Sequence, residues 1–152
     1  MISILMVCLG NICRSPLAEV ILKSKLPKNK FVVDSAGTSD FHSGNAPDKR
    51  SIDVAIKYGL DISNQKSRPF TIYDFKKFDH IFAMDKSNYK NIIKHAQNDI
   101  ELKKVSLILE YPNSKIKEVP DPYFGGNYGF ENVYKLLEDA CDYHSQKLIK
   151  AL

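Results

Sequence analysis

Apolar residues along this chain fall into two kinds of run. Residues 4–7, 31–33, 81–84 and 105–109 are short, continuous and bounded by turn formers, the pattern of strands buried on both faces. Between them apolar positions recur at helical spacing. Leu17, Val20 and Ile21 share one face, as do Ile52, Ala55 and Ile56, with Gly59 placed as a C-terminal cap. Phe130, Val133, Tyr134, Leu137 and Cys141 mark a last helix. Strands alternating with helices predict an α/β fold: a parallel sheet with helices on both faces, binding its ligand beyond the carboxyl ends of the strands. No repeat, low-complexity tract or Pro/Gly/Ser-rich linker divides the chain, so residues 1–152 are expected to form a single three-layer domain.

Composition narrows the function. With 43% hydrophobic and 26% charged residues, the chain suits one compact domain with its own core. Twenty-two basic against 18 acidic residues give a net charge of +4, which favours an anionic ligand without requiring a polyanion. No basic run is interleaved with aromatics, and the lysines of 23–30 and 86–94 read as solvated helix faces, so no nucleic acid is expected. Three cysteines make no disulfide framework, which points to a reducing, cytoplasmic setting. The apolar stretch 2–7 is too short for a bilayer and lacks a basic leader, so no membrane partner is expected either.

The first strand runs directly into Cys8-Leu9-Gly10-Asn11-Ile12-Cys13-Arg14-Ser15-Pro16, which opens a helix. Ser15 is expected to cap that helix and Pro16 to sit in its first turn. A strand-to-helix loop can turn its amides inward and, with the positive helix end, receive a tetrahedral dianion. Gly10 and Asn11 are expected to supply positive φ. Leu9, Gly10, Asn11, Ile12, Cys13, Arg14 and Ser15 form the expected phosphate cradle. Cys8 lies at its floor, where the same field favours a nucleophilic thiolate. The planar fork of Arg14 can span two phosphate oxygens and gains contact as charge spreads in the transition state. The Ser15 hydroxyl can donate to the sulfur. The alternative, a buried structural cysteine beside a surface arginine, does not explain six-residue spacing with Gly and Asn inside and Ser-Pro behind.

These residues resemble the signature loop of the low-molecular-weight protein tyrosine phosphatases, and Asp121-Pro122-Tyr123 resembles that family's acid loop. Asp34-Ser35-Ala36-Gly37-Thr38 and Asp85-Lys86-Ser87-Asn88 also resemble family segments, those after the second and third strands. The resemblance implies a four-stranded parallel sheet, a cysteinyl-phosphate intermediate and no metal or organic cofactor. It implies loop-shaping by Asn11 and thiolate stabilisation by Ser15. The expected partners are phosphotyrosine-containing proteins or small aryl phosphates, with inorganic phosphate as product and the enzyme a monomer.

A tyrosine leaving group with a pKa near 10 needs a proton to depart at neutral pH. Asp121, between Pro120 and Pro122, is expected to supply it and later to draw a proton from the attacking water. Alone, an Asp-Pro pair reads as a turn; the cysteine loop changes that. Tyr123 and Phe124 are expected to wall the substrate ring, or else to anchor the loop. By resemblance Phe41 forms the opposite wall, or packs inward. Cys13 either traps an oxidised Cys8 as a disulfide or simply packs the loop. Cys141 reads as core, and His42, His80, His95 and His144 have no spacing for a metal. Many relatives carry a histidine where this chain has Gln65, a group that can support the loop from behind but cannot titrate.

Two relatives of the same fold remain as alternatives. An arsenate reductase needs a downstream redox cysteine pair, whereas only Cys141 follows Cys13. A protein arginine phosphatase carries threonine where this chain has Ile12. A phosphate-binding module without catalysis would not need Cys8, Arg14, Ser15 and Asp121 together.

Overall fold

A computed structural model describes residues 1–125 and 127–152. Four parallel strands, β1 (Ile2–Cys8), β2 (Phe31–Gly37), β3 (His80–Ala83) and β4 (Val105–Leu107), lie in the order β2-β1-β3-β4. Because all run the same way, Cys8, Gly37 and Ala83 end at one edge. The chain leaves β1 for β2 on one side and then crosses to β3 on the other, so β1 lies at the point where the strand order reverses, where such sheets open a crevice.

Both sheet faces are buried, which is why the strands read as continuous apolar runs. Ile4, Met6 and Cys8 pack among residues of α1 (Arg14–Lys25), α2 (Lys49–Lys57) and α6 (Asn127–Lys150). Leu5 and Val7 face the other way, onto Phe75 of α3 (Asp74–Lys77), onto Phe78 and onto Ile92 of α4 (Lys86–Ile93). A period of two divides successive side chains between two cores. The short α5 (Asp99–Lys103) leads into β4.

Several boundaries differ from the sequence expectation. The second strand extends to Gly37 rather than stopping at Val33, because Asp34, Ser35 and Ala36 keep pairing with β1 through the mixed polar stretch. The third strand begins at His80 and ends at Ala83, although Met84 still donates to the Val7 carbonyl at 3.0 Å. The last strand stops at Leu107; Ile108 and Leu109 are buried beyond it. In α2 the buried face is Ser51, Val54 and Ala55, and Ile56 is exposed. Gly59 caps that helix with φ +80°, its amide bonded to Ile56 and that of Leu60 to Ala55, the paired bonds of a left-handed C-terminal cap.

Candidate active site

Between β1 and α1 only residues 9–13 intervene, and the carbonyls of Cys8, Leu9, Gly10, Ile12 and Cys13 are tied to other parts of the chain. Thr38 N–H donates to the Cys8 carbonyl (2.9 Å), Ser39 N–H to Leu9 (3.0 Å), Ser67 Oγ to Gly10 (2.9 Å), Asp48 N–H to Ile12 (2.8 Å) and Ser51 Oγ to Cys13 (3.2 Å). A planar trans peptide points its N–H opposite to its C=O. The amides of Leu9, Gly10, Asn11, Cys13 and Arg14 are therefore turned the other way, and the Asn11 N–H donates to Cys8 Sγ at 3.2 Å. Amides converging on one point make an anion site.

Asn11 takes φ 56°, and its buried side chain makes the turn rigid. Nδ2 donates to Ser15 Oγ (2.8 Å) and Ser35 Oγ (3.0 Å), and Oδ1 accepts from Arg68 N–H (3.0 Å). Gly10 does not share the positive φ expected of it; a Cβ there would lie 3.0 Å from the His42 ring, which would have to give way. Nor does Ser15 cap α1. Cys13 occupies the cap position without a side-chain bond, and Ser15 sits inside the first turn, 3.1 Å from Cys8 Sγ. Ser15 Oγ accepts from Asn11, and its own proton has two acceptors in reach, the sulfur at 3.1 Å and the Ala36 carbonyl at 3.5 Å. Ser35 Oγ donates in turn to the buried Glu19 carboxylate (2.7 Å), which Lys23 closes at 2.7 Å. Gln65 Nε2 reaches the Pro16 carbonyl at 3.2 Å, behind the loop.

Arg14 is only 2% exposed. Its Nη1 donates to Asp85 (2.6 Å) and to the Val119 carbonyl (3.0 Å), and Nη2 lies 3.6 Å from Asp121. Burial opposes its charge, yet Cys8, Asp85 and Asp121 hold the guanidinium above its ordinary range. Cys13 behaves oppositely: burial foremost, then the charges of Asp48, Cys8 and Asp121, push its thiol up to about 12. All three cysteines are free thiols, and Cys141 is fully buried with its pKa raised by burial.

Asp121 is exposed at the mouth, where its Oδ1 accepts the Tyr123 N–H at 3.1 Å. A cavity of about 510 Å³ joins Cys8, Arg14 and Asp121 to the aromatic rims. Phe124 is 98% and Phe41 83% exposed, so neither packs inward. His42 stands between Phe41 and Tyr123, with ring centroids 4.9 and 6.1 Å away. His80 and His144 are depressed by burial, and His144 Nε2 contacts the Ile108 carbonyl at 2.7 Å. No cluster of His, Cys, Asp or Glu suited to a metal occurs among the described residues.

Sequence reasoning assigned no role to Asp85, Ser35, Glu19, Gly37 or His42. Asp85 was the most findable, being a carboxylate just past a strand's carboxyl end that also caps α4 by accepting the Asn88 N–H (2.8 Å). Gly37 backs the loop so closely that a Cβ would lie 2.8 Å from the Leu9 carbonyl.

A family model for low molecular weight phosphotyrosine protein phosphatase matches residues 3–152. A low molecular weight phosphotyrosine protein phosphatase of Schizosaccharomyces pombe is 40% identical over 99% of this chain and 97% of its own. A protein tyrosine phosphatase from Entamoeba histolytica, solved with Hepes in its active site, is 39% identical and superposes with a TM-score of 0.94 over 99% of both chains. YfkJ from Bacillus subtilis superposes at 0.90, with 34% identity over 99% of this chain and 96% of that one.

Proposed function

The chain belongs to the low molecular weight phosphotyrosine protein phosphatases, and on that premise we propose that residues 1–152 form one domain in which Cys8, Arg14 and Asp121 hydrolyse phosphotyrosine and aryl phosphate monoesters. Cys8 Sγ attacks phosphorus; the S–P bond forms as the P–O bond to the phenol breaks. The proton carried by Asp121 passes to the departing oxygen. Arg14 and the amides of Leu9, Gly10, Asn11, Cys13 and Arg14 hold the equatorial oxygens as charge spreads over them. In the second half, water attacks phosphorus, Asp121 takes its proton, and the sulfur leaves with the Ser15 hydroxyl donating to it, releasing inorganic phosphate.

The observation that carries this reading is the ring of tied carbonyls around a sulfur that already accepts one of the resulting amides (3.2 Å). The Entamoeba relative's Hepes carries a sulfonate, an oxyanion of the same tetrahedral shape. Tyr123, Phe124 and Phe41, standing exposed about the mouth, suit an aromatic substrate ring. The same-fold alternatives are disfavoured: Cys141 is buried on α6 with Sγ 3.9 Å from the Ala18 carbonyl, away from the loop, and Ile12 gives the cavity an apolar wall. We take the protein as a cytoplasmic monomer acting on phosphotyrosyl proteins or small aryl phosphates, without nucleic acid, membrane or cofactor. Its free thiols support that setting, and no helix among the described residues is long and apolar enough to cross a membrane.

Replacing Cys8 by Ser tests the covalent route. Turnover of a coloured aryl phosphate is expected to vanish while vanadate binding remains measurable by calorimetry; substantial turnover by Cys8→Ser would refute the mechanism.

A further inference from the structure

The first turn of α2 touches both halves of the cleft. On one side the Asp48 N–H and the Ser51 hydroxyl hold the Ile12 and Cys13 carbonyls of the phosphate loop, at 2.8 and 3.2 Å. On the other, Arg50 reaches the acid loop, where Nη2 donates to the Tyr123 carbonyl (2.7 Å) and Nη1 to the Gly125 carbonyl (2.8 Å). The remaining edge of the guanidinium is fixed by the Asp48 carboxylate, with Nε and Nη2 each at 3.0 Å. Its carbon lies 4.6 Å from the Phe130 ring centroid and 5.8 Å from that of Tyr123. One planar group is thus held at its edge and faces, and passes that constraint to two carbonyls two residues apart.

Two such bonds set a segment's orientation as well as its distance, which a point charge like an ammonium cannot do. The segment they orient is the one that holds the acid, because the Tyr123 N–H donates to Asp121 Oδ1 at 3.1 Å. At its other end the same loop is moored one residue past β3, where the Val119 N–H donates to the Met84 carbonyl at 2.8 Å. Asp121 therefore hangs between a mooring beside the sheet and a mooring on Arg50. The second is referred through α2 to the very loop that carries Cys8.

We propose that Arg50 is a positioning residue for proton transfer, setting the distance between the Asp121 carboxyl and the leaving oxygen while touching neither substrate nor sulfur. This rests on Asp121 being the acid. Arg50 then matters most when the leaving group needs a proton and leaves the phosphate cradle as it was.

The test is a series of aryl phosphates of graded phenol acidity, run on Arg50→Met, Arg50→Lys, Asp121→Asn and Asp121→Asn/Arg50→Met, with inhibition by inorganic phosphate measured alongside. Arg50→Met is expected to lose about 10–100-fold in kcat/KM on the least acidic phenols and little on the most acidic, with phosphate inhibition unchanged. Arg50→Lys, which keeps charge and bulk but not the fork, is expected to show the same slope and covers the case in which the methionine variant folds poorly. In the Asp121→Asn background the methionine is expected to add almost nothing, since both changes act on one step. A flat loss across the series for the Arg50 variants, or full additivity with Asp121→Asn, overturns the proposal. If Asp121→Asn itself loses equally across the series, the acid assignment falls and this inference falls with it. A steep series for Asp121→Asn beside a flat one for Arg50 removes Arg50 alone.

Discussion

From Cys8 to Ser15 the chain is largely buried, and nearly every polar group in it is tied to a different part of the molecule: to Thr38 and Ser39 after β2, to Ser67 and Arg68, and to Asp48 and Ser51 at the start of α2. From Asp121 to Gly125 only Pro122 is buried, and the attachments reduce to Arg50, the Asp121 contact with Arg14 and two internal bonds, Tyr123 to Asp121 and Gly125 to Pro122. The two loops face the same cavity yet are held to different degrees. In the proposed mechanism the cradle presents amides to phosphate in both half-reactions, and it gains from being fixed in advance. Asp121, proposed to meet different leaving groups and then water, is in a segment held at its ends, with its carboxyl at the surface.

The largest test of that contrast is Asp121→Asn, which removes the proposed acid while leaving the proposed cradle. Loss of about 10²–10⁴-fold is expected on poor leaving groups, with phosphate affinity nearly unchanged. A matching fall in phosphate binding, read by calorimetry, would show that the two loops are not separable.

Gly37→Ala attacks the other side. Its Cβ would meet the Leu9 carbonyl at 2.8 Å and the Ser39 carbonyl at 3.1 Å, both backbone atoms with little room to yield. Destabilisation of about 1–3 kcal/mol is expected in denaturant unfolding, together with weaker phosphate inhibition and an unchanged leaving-group slope. An altered slope with intact phosphate binding would reverse the roles assigned to the two regions.

The smallest effect concerns acid. The side-chain hydrogen bond from Arg50 holds the Asp48 carboxyl below the usual carboxylate range, against the opposing effect of burial. A group lowered in the folded state stabilises it fully above its unfolded value of about 3.9, and that contribution is lost as pH falls through the folded value below it. The stability gap between the parent and Asp48→Asn, a variant that keeps a helix-capping side chain, is expected to be constant above about pH 5 and to close in stronger acid. A gap independent of pH would mean that the Asp48–Arg50 pair contributes no charge interaction to the tether.

Cys8, Arg14 and the alternating strand and helix runs were legible because local chemistry and period suffice: a buried strand, a Gly-Asn turn and a Ser-Pro helix start lie within nine consecutive residues. Gly10 was picked out for a positive φ it does not adopt, and Ser15 for a helix cap it does not form, although Ser15 does stand beside the sulfur as expected. The space beside Gly10 is set by His42, and the place of Ser15 by the helix starting two residues earlier than its composition suggested. The exposure of Ile56 was likewise misread, since helical period defines a face only to within the neighbours that cover it.

What the amino-acid order determined by itself was the fold class and the loop that carries Cys8 after the first strand, since both rest on interactions between residues close in the chain. Only the tertiary structure decided that Asp85 faces Arg14, that Glu19 ends a hydrogen-bond chain through Ser35, Asn11 and Ser15 to the sulfur, and that Arg50 holds the acid loop. In the pairs Glu19–Ser35, Arg14–Asp85 and Arg50–Tyr123 the partners are 16, 71 and 73 positions apart. Contacts of that range exist only after the parallel sheet has brought its strand ends to one edge.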